Sequence, residues 1–181
     1  MKLYHYSKEP LGEVHSFDQT KIHINDSILL KPHGLWLSHD DGYGWAQWCA
    51  GEEFCLGNLA FRTPVVLRED AKILCIKDAA DLDAAVEKHA YDSEPLPGLG
   101  MAFWRKTGYV SWAKMAKDWQ GIFIMDAYIP DRRFGGPLWY YAWDCDSACV
   151  WDATAIAKIE ESQPFNLAAF IRGKENADAA E

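Results

Sequence analysis

Strand-like segments outnumber helical ones in this 181-residue chain, and most of them follow one another without a helix between them. A doubly wound parallel sheet needs a helical crossover after nearly every strand, whereas antiparallel and mixed sheets can join strands by turns. The sequence therefore predicts an α+β fold with antiparallel or mixed sheets and short helices. The segments that read as strands are 2–7, 32–38, 58–67, 72–76, 121–125, 138–143 and 147–151.

Apolar spacing and capping residues predict three helices, over 43–50, 78–90 and 111–117. Asp40 and Asp41 precede the first helix and are expected to cap it. Trp45, Trp48 and Cys49 recur in that helix at the i, i+3, i+4 spacing of one face.

Proline, glycine and small polar residues punctuate the rest of the chain. Residues 92–100 are predicted to be a loop and residues 131–137 a turn, because glycine and proline cluster in both. The polar composition of 173–181 predicts a frayed tail, so residues 1–172 are expected to form a single domain.

Composition excludes several classes of protein. The net charge of -9 argues against direct nucleic-acid binding, which depends on neutralising phosphates. No apolar run approaches the roughly 18 residues of a membrane span, and the first residues lack the basic and apolar regions of a secretory signal, so a cytoplasmic protein without membrane contact is expected. Five irregularly spaced cysteines favour neither a disulfide framework nor a metal site.

Aromatic residues are unusually abundant, with nine Trp, eight Tyr and eight Phe. This is more than a core of this size needs, which predicts that some of them line a site for a flat ligand. Core positions are expected for the later tryptophans, namely Trp104, Trp112, Trp119, Trp139, Trp143 and Trp151.

Three distant segments each combine polar reactive groups with aromatic residues. They hold His5 and Ser7; Trp36, Ser38 and Trp48; and Asp144 and Asp146. Taken singly each is a weak signal, and chemistry is expected only where the fold brings them together.

The order of these segments resembles the His-Tyr-Glu class of ADP-ribosyltransferases. In that class a first strand ends in His-x-Ser, as LYHYS does at 3–7, and a glycine-led aromatic strand and a helix with a second aromatic follow, as in GLWLSHDDGYGWAQWC at 34–49. A carboxylate then opens a late strand, and WQGIFIM followed by WDCDSACVWD stands in that order within 119–152. The resemblance implies two packed, mostly antiparallel sheets that bind NAD as co-substrate.

The resemblance also implies roles for the residues that match the motifs. His5 would hydrogen-bond a ribose of NAD, while the Tyr6 backbone and the Ser7 hydroxyl would hold the nicotinamide carboxamide. Trp36 would replace the usual tyrosine of the second strand, near Ser38, with Trp48 stacking on the opposite face of the ring. Two indoles suit nicotinamide because that ring is flat and cationic in NAD.

Asp144 and Asp146 both match the carboxylate that stabilises the ribosyl cation. A two-residue offset on a strand would point both side chains the same way, so both remain candidates. Asp144 is preferred because it leaves 147–151 as an uninterrupted strand. Aspartate in place of the family's glutamate implies a single transfer or NAD hydrolysis rather than chain formation.

The resemblance therefore implies a mono-ADP-ribosyltransferase with a macromolecular, mainly protein, acceptor. Small phage-encoded members of this class, some of them anti-CRISPR proteins, have this size, which extends the expectation to an anti-defence role. The net charge supports an alternative from another class, a non-catalytic inhibitor that mimics nucleic acid and blocks a basic groove. A cysteine-histidine hydrolase is disfavoured because no cysteine has a recognisably activated setting.

Overall fold

The computed structural model describes residues 1–21, 31–90, 110–130 and 132–178. The strands in these ranges are β1 Lys2–Ser7, β2 Leu35–Ser38, β3 Phe61–Leu67, β4 Ile73–Ile76, β5 Gly121–Ile124, β6 Ser147–Val150, β7 Ile156–Ile159 and β8 Gln163–Pro164. The helices are α1 Trp45–Gly51, α2 Ala79–Lys88, α3 Trp112–Asp118, α4 Leu138–Tyr141 and α5 Leu167–Asp178. The predicted loop 92–100 and Trp104 lie outside the described residues.

The strands join in one mixed sheet of order β4-β5-β6-β2-β1-β3-β7, with β8 beside β3. Only the β4–β5 pair is parallel; the other recorded pairs are antiparallel. The α+β class and the mixed sheet are confirmed. The structure has one connected sheet, whereas the resemblance implies two packed sheets.

The sheet is nearly divided between β1 and β2. These strands share a single pair, Tyr4 with Ser38, whereas β1 forms six pairs with β3 and β2 forms four with β6. Continuing the β1–β2 register would set Tyr6 opposite Trp36, but no such pair forms. A break in the pairing, here called the β1–β2 gap, therefore separates the β4-β5-β6-β2 half from the β1-β3-β7 half, although the two strands stay adjacent.

Both faces of the sheet are covered by apolar side chains. The face that carries Ile122 and Cys149 packs against α2, α3 and α4 in the larger core, while Leu3, Leu37 and Phe123 belong to a second core on the opposite face. The alternation follows from the two-residue period of a strand. A smaller cluster around Tyr6 joins α1 to β1 and α5.

Residues 138–143 are not a strand. Pro137 precedes the short helix α4, and Trp139, Tyr140 and Trp143 point into the larger core, almost completely buried. Aromatic residues favour strands in isolation, but here a single helical turn packs Trp139 against Trp112, and Trp139 in turn contacts Tyr140 and Trp143. The core positions expected for Trp112, Trp139, Trp143 and Trp151 are confirmed, although they lie between helices and sheet rather than between two sheets.

The segment from 173 is helical as far as Asp178, and is not frayed over that length. Phe170 of α5 packs against Phe165, which contacts the ring of Tyr6. Lys174 donates to the backbone carbonyl of Asp40. These contacts attach α5 to β1 and to the loop after β2, which the polar composition did not indicate.

Two of the three predicted helices begin at a polar residue whose side chain caps them. Asp78 accepts hydrogen bonds from Ala80 and Asp81, and Ser111 caps α3, as expected for short polar side chains before a helix. The cap of α1 was wrongly assigned to Asp40 or Asp41. The Ser38 hydroxyl accepts the N–H of Trp45 instead, at 2.8 Å.

No helix in the ranges the structure describes is long and apolar enough to cross a bilayer.

Candidate functional site

A cavity of about 170 Å³ lies at the gap between β1 and β2. Its walls come from all three of the segments that carry the resemblance. They are formed by residues 4–6, 36–38 and 143–145, together with Lys31, Trp45 and Ser147. The gap exists because the two strands are held by one pair, so the fold itself creates the opening.

Indole rings form much of the wall. The rings of Trp36 and Trp143 lie 4.8 Å apart between centroids and are tilted by 50°. Trp45, the first residue of α1, also lines the cavity. Trp48 does not line it: its ring stacks behind Trp45, at 5.1 Å and 19°, and against Phe54. Of the two tryptophans in this helix, Trp45 is therefore the one that lines the cavity, three residues before the predicted Trp48.

His5 bridges the gap between the strands. Its Nδ1 lies 2.9 Å from the carbonyl oxygen of Trp36, the strand position that Tyr6 fails to pair. A carbonyl can only accept, so Nδ1 is the donor of this bond, and Nε2 has no hydrogen-bond partner among the described residues. Ser7, in contrast, lies outside the cavity lining, and its hydroxyl donates to the Glu9 carbonyl at 2.6 Å.

A buried carboxylate fixes two residues of the wall. Asp40 accepts from the Tyr6 hydroxyl at 2.6 Å and from the Ser38 hydroxyl at 2.7 Å. Arg62 pairs with the same carboxylate at 2.7 Å and lies 3.5 Å over the ring of Tyr4. Burial, followed by the charge of Asp40, raises the pKa of the Tyr6 phenol. Tyr6 therefore stays neutral, and the network holds β1, β2 and β3 in register around the cavity.

Asp144 lines the cavity and is held by one oxygen. Its Oδ1 accepts from Arg133 at 3.0 Å, and Arg133 also donates to the Trp143 carbonyl at 2.7 Å. The side chain of Asp144 is 31% exposed. Its second oxygen has no hydrogen-bond partner among the described residues and can receive a ligand hydroxyl.

Asp146 lies away from the cavity lining, and its carboxylate holds two loops together. One oxygen accepts the N–H of Ala127 at 3.0 Å and the other accepts the N–H of Tyr43 at 3.2 Å. Burial raises the pKa of Asp146 against the opposing effect of these donors. The two aspartates diverge because both precede β6 in an irregular segment, where strand alternation does not apply.

The cavity has no reactive thiol. Cys145 lines it, but burial raises the pKa of this thiol to about 12. The thiolate, rather than the thiol, is the nucleophile. All five cysteines are free, and within the described ranges no cluster of three or more His, Cys, Asp or Glu could hold a metal.

The fold thus brings together most of the residues singled out in the sequence, namely His5, Tyr6, Trp36, Ser38 and Asp144. It leaves Ser7, Trp48 and Asp146 outside the lining. It adds Trp45, Trp143 and Lys31, for which the sequence offered only helix spacing, aromatic content and charge. Comparison of the chain with protein-family models, with curated proteins and with solved structures finds no match.

Proposed function

We propose that this chain is an NAD-dependent mono-ADP-ribosyltransferase, which cleaves the nicotinamide–ribosyl bond and transfers ADP-ribose to a protein acceptor in the cytoplasm. The observation that carries the proposal is the cavity at the β1–β2 gap, where an aromatic wall adjoins a carboxylate anchored by one oxygen.

The size and walls of the cavity suit one flat ring. Sites that enclose a whole drug-sized ligand occupy about 300–1,000 Å³, whereas this cavity holds about 170 Å³. It can therefore take the nicotinamide of NAD while the remaining nucleotide lies along the surface. The faces of Trp36, Trp45 and Trp143 favour a cationic ring by stacking and by cation–π attraction.

His5 suits the binding of a ribose hydroxyl. Its Nδ1 is occupied by the Trp36 carbonyl, so the ring orientation is fixed and Nε2 remains to accept a hydrogen bond. Holding the sugar next to the enclosed ring would fix the bond that must break. Such positioning lowers the activation barrier because less orientational freedom is lost during the reaction.

Asp144 is the carboxylate we assign to the reacting sugar. When the bond between ribose C1′ and the ring nitrogen breaks, its electron pair leaves with the neutral nicotinamide and positive charge develops on the ribose. A carboxylate beside that ribose stabilises the charge most strongly in the transition state. The acceptor then forms the new bond to C1′ and gives up a proton, which Asp144 can receive.

Arg133 fits this role for Asp144. Arg133 donates to one oxygen of the Asp144 carboxylate and leaves the other oxygen available to a ligand. Its other guanidinium nitrogen donates to the Trp143 carbonyl. The carboxylate is thus oriented before a ligand binds. Preorganised charge of this kind is the usual source of transition-state stabilisation.

The charge-mimic alternative has less support from the side chains. Residues 126–161 hold seven acidic and three basic residues, but several of these acids are already engaged. Asp144 pairs with Arg133, Glu160 with Lys2, and Asp146 is buried on backbone donors. A mimic needs a broad face of free carboxylates, so this region suits a cleft better than a decoy surface.

The proposal is tested by incubating the protein with NAD and measuring released nicotinamide by chromatography. Intact-mass spectrometry of added candidate acceptor proteins would detect the ADP-ribose increment. We expect release with the wild type and its loss in Asp144→Asn. Asp41→Asn is the matched control, because Asp41 is 97% exposed and removal of its charge leaves the cavity unchanged.

Calorimetry provides the decisive negative result. If NAD does not bind the wild-type protein, the enzyme proposal is wrong. An inhibitory effect on a basic partner without NAD would then favour the charge mimic.

A further inference from the structure

The geometry points to Lys31 as an anion-binding residue of this cavity, receiving a phosphate group of a nucleotide whose flat ring lies against the indoles. The identity of the nucleotide as a nicotinamide nucleotide rests on the proposed function. The phosphate-binding role rests on the surroundings of Lys31 alone.

Lys31 belongs to the cavity wall, and its ammonium lies 5.2 Å from the ring centroid of Trp36. A cation–π contact at this distance directs the ammonium toward the aromatic wall. An ammonium has three N–H donors. Among the described residues none of the three has a hydrogen-bond acceptor, and no carboxylate lies within ion-pair distance.

The other cations near the cavity are already paired. Arg133 is bound to Asp144 and to the Trp143 carbonyl, and Arg62 is bound to Asp40. Lys31 is the one lysine or arginine among the lining residues that the structure describes. A ligand anion entering the cavity would therefore meet Lys31 as its available partner.

The net charge of the chain disfavours an anionic ligand unless a cation in the cavity offsets it. A net charge of -9 repels a phosphate-bearing ligand at long range. Loss of hydration near the walls lowers the pKa of Lys31, opposed by the charge of Asp144. A phosphate would replace the lost hydration with charge-assisted hydrogen bonds.

The charges of the wall also match those of a nicotinamide nucleotide. Asp144 offers a carboxylate to the sugar next to a cationic ring, and Lys31 offers an ammonium to the attached phosphate. A ligand with the same ring but no phosphate would meet an unpaired ammonium beside its own positive charge. Lys31 should therefore distinguish phosphorylated from unphosphorylated forms.

The test compares four probes by calorimetry and tryptophan fluorescence at low salt: nicotinamide riboside, nicotinamide mononucleotide, NAD and inorganic pyrophosphate. Lys31→Met removes the charge and keeps the apolar stem, Lys31→Arg keeps the charge, and Lys8→Met is the control at an exposed lysine outside the lining. We expect Lys31→Met to weaken the mononucleotide and NAD by about tenfold. The riboside has no phosphate and meets the ammonium as a like charge, so it should bind Lys31→Met at least as tightly as the wild type. Lys31→Arg and Lys8→Met should resemble the wild type with every probe.

Three results would overturn the inference. Unchanged affinity of Lys31→Met for the phosphorylated probes would show that Lys31 does not contact phosphate. An equal loss of affinity for the riboside would show that Lys31 helps to hold the nicotinamide ring and does not bind the phosphate. Tighter binding of every nicotinamide probe by Lys31→Met would show that the ammonium competes with the nicotinamide for the face of Trp36.

Pyrophosphate separates this inference from the proposed function. If no nicotinamide probe binds the wild type, the NAD proposal fails. Pyrophosphate binding that is lost in Lys31→Met would then still support the anion site. Absence of pyrophosphate binding as well would overturn both.

Discussion

Truncation of the two neighbouring aspartates should separate transfer from stability. Asp144→Ala removes a carboxylate of the cavity wall, while Asp146→Ala removes the acceptor of two backbone N–H groups that join distant loops. We expect the first variant to lose ADP-ribose transfer and remain folded. The second should lose stability and keep transfer at low temperature.

The magnitudes follow from what each truncation leaves behind. Without Asp146 the N–H groups of Ala127 and Tyr43 lose their acceptor, and an unsatisfied buried donor costs about 1–3 kcal/mol. Since the carboxylate is itself poorly hydrated, as its raised pKa indicates, we take a total of about 3 kcal/mol. For a chain of this size that lowers the melting temperature by about 6–12 °C.

Asp144→Ala should cost about 1 kcal/mol or less, because the pair with Arg133 is partly exposed. Arg133 also keeps its bond to the Trp143 carbonyl. The transfer rate should nevertheless fall by on the order of 100-fold, the usual effect of removing one electrostatic stabiliser.

Thermal unfolding of both variants is measured by circular dichroism. Nicotinamide release is then measured at a temperature well below the lower of the two unfolding midpoints, where both variants are folded. Asp41→Ala is the exposed control, and Asp146→Asn keeps one acceptor oxygen should the alanine variant fold poorly. If Asp146→Ala melts within about 2 °C of the wild type, the loop-holding role is refuted. If the folded Asp146 variants lose transfer while Asp144→Ala retains it, the catalytic assignment is refuted.

Other variants test the walls and the acid side of the stability curve. Trp45→Ala should weaken NAD binding in calorimetry by about 1 kcal/mol and Trp48→Ala by less, because only Trp45 lines the cavity; the reverse order would contradict the placement of the rings. His5→Ala should also cost about 1 kcal/mol of NAD affinity, and an unchanged value would leave His5 only its structural bond to Trp36. Several hydrogen bonds lower the pKa of Asp152 in the folded protein, and the one from the Gln120 side chain has the largest effect. The stabilisation that ionised Asp152 provides is therefore present above its unfolded pKa of about 3.9, and it is lost as the pH falls through the lower folded pKa. In urea titrations Asp152→Asn should therefore be less stable than the wild type at neutral pH, and an equal difference in strong acid would contradict this.

Local sequence determined much of the scaffold. The alternation of buried side chains in β3, the Asp78 cap of α2 and the Ser111 cap of α3 are encoded within a few residues of where they act. Their physical causes, side-chain period and short-range capping, need no knowledge of distant neighbours. The segments that form the cavity could be found because each combines a polar reactive group with aromatic residues in its own sequence.

The choice between helix and strand at 138–141 required the tertiary structure. Aromatic residues there fit a strand by propensity, and the sequence of the segment alone favours that prediction. Burial of Trp139, which packs against Trp112 and Tyr140, decides for a helical turn, because packing of large rings outweighs a weak local preference. The helical end of the chain is likewise attached by contacts of Phe170 and Lys174 with distant residues.

The division of roles within the site was also decided by tertiary contacts. Trp45 and Trp48 share a helix, and Asp144 and Asp146 share a short segment, so spacing alone treats each pair as nearly equivalent. The orientation of α1 puts Trp45 in the wall, and the N–H groups of Ala127 and Tyr43 draw Asp146 away from it. The sequence determines which chemical groups are near one another along the chain, but some of the partners that orient them come from distant elements, as Tyr43 does for Asp146 across 103 residues.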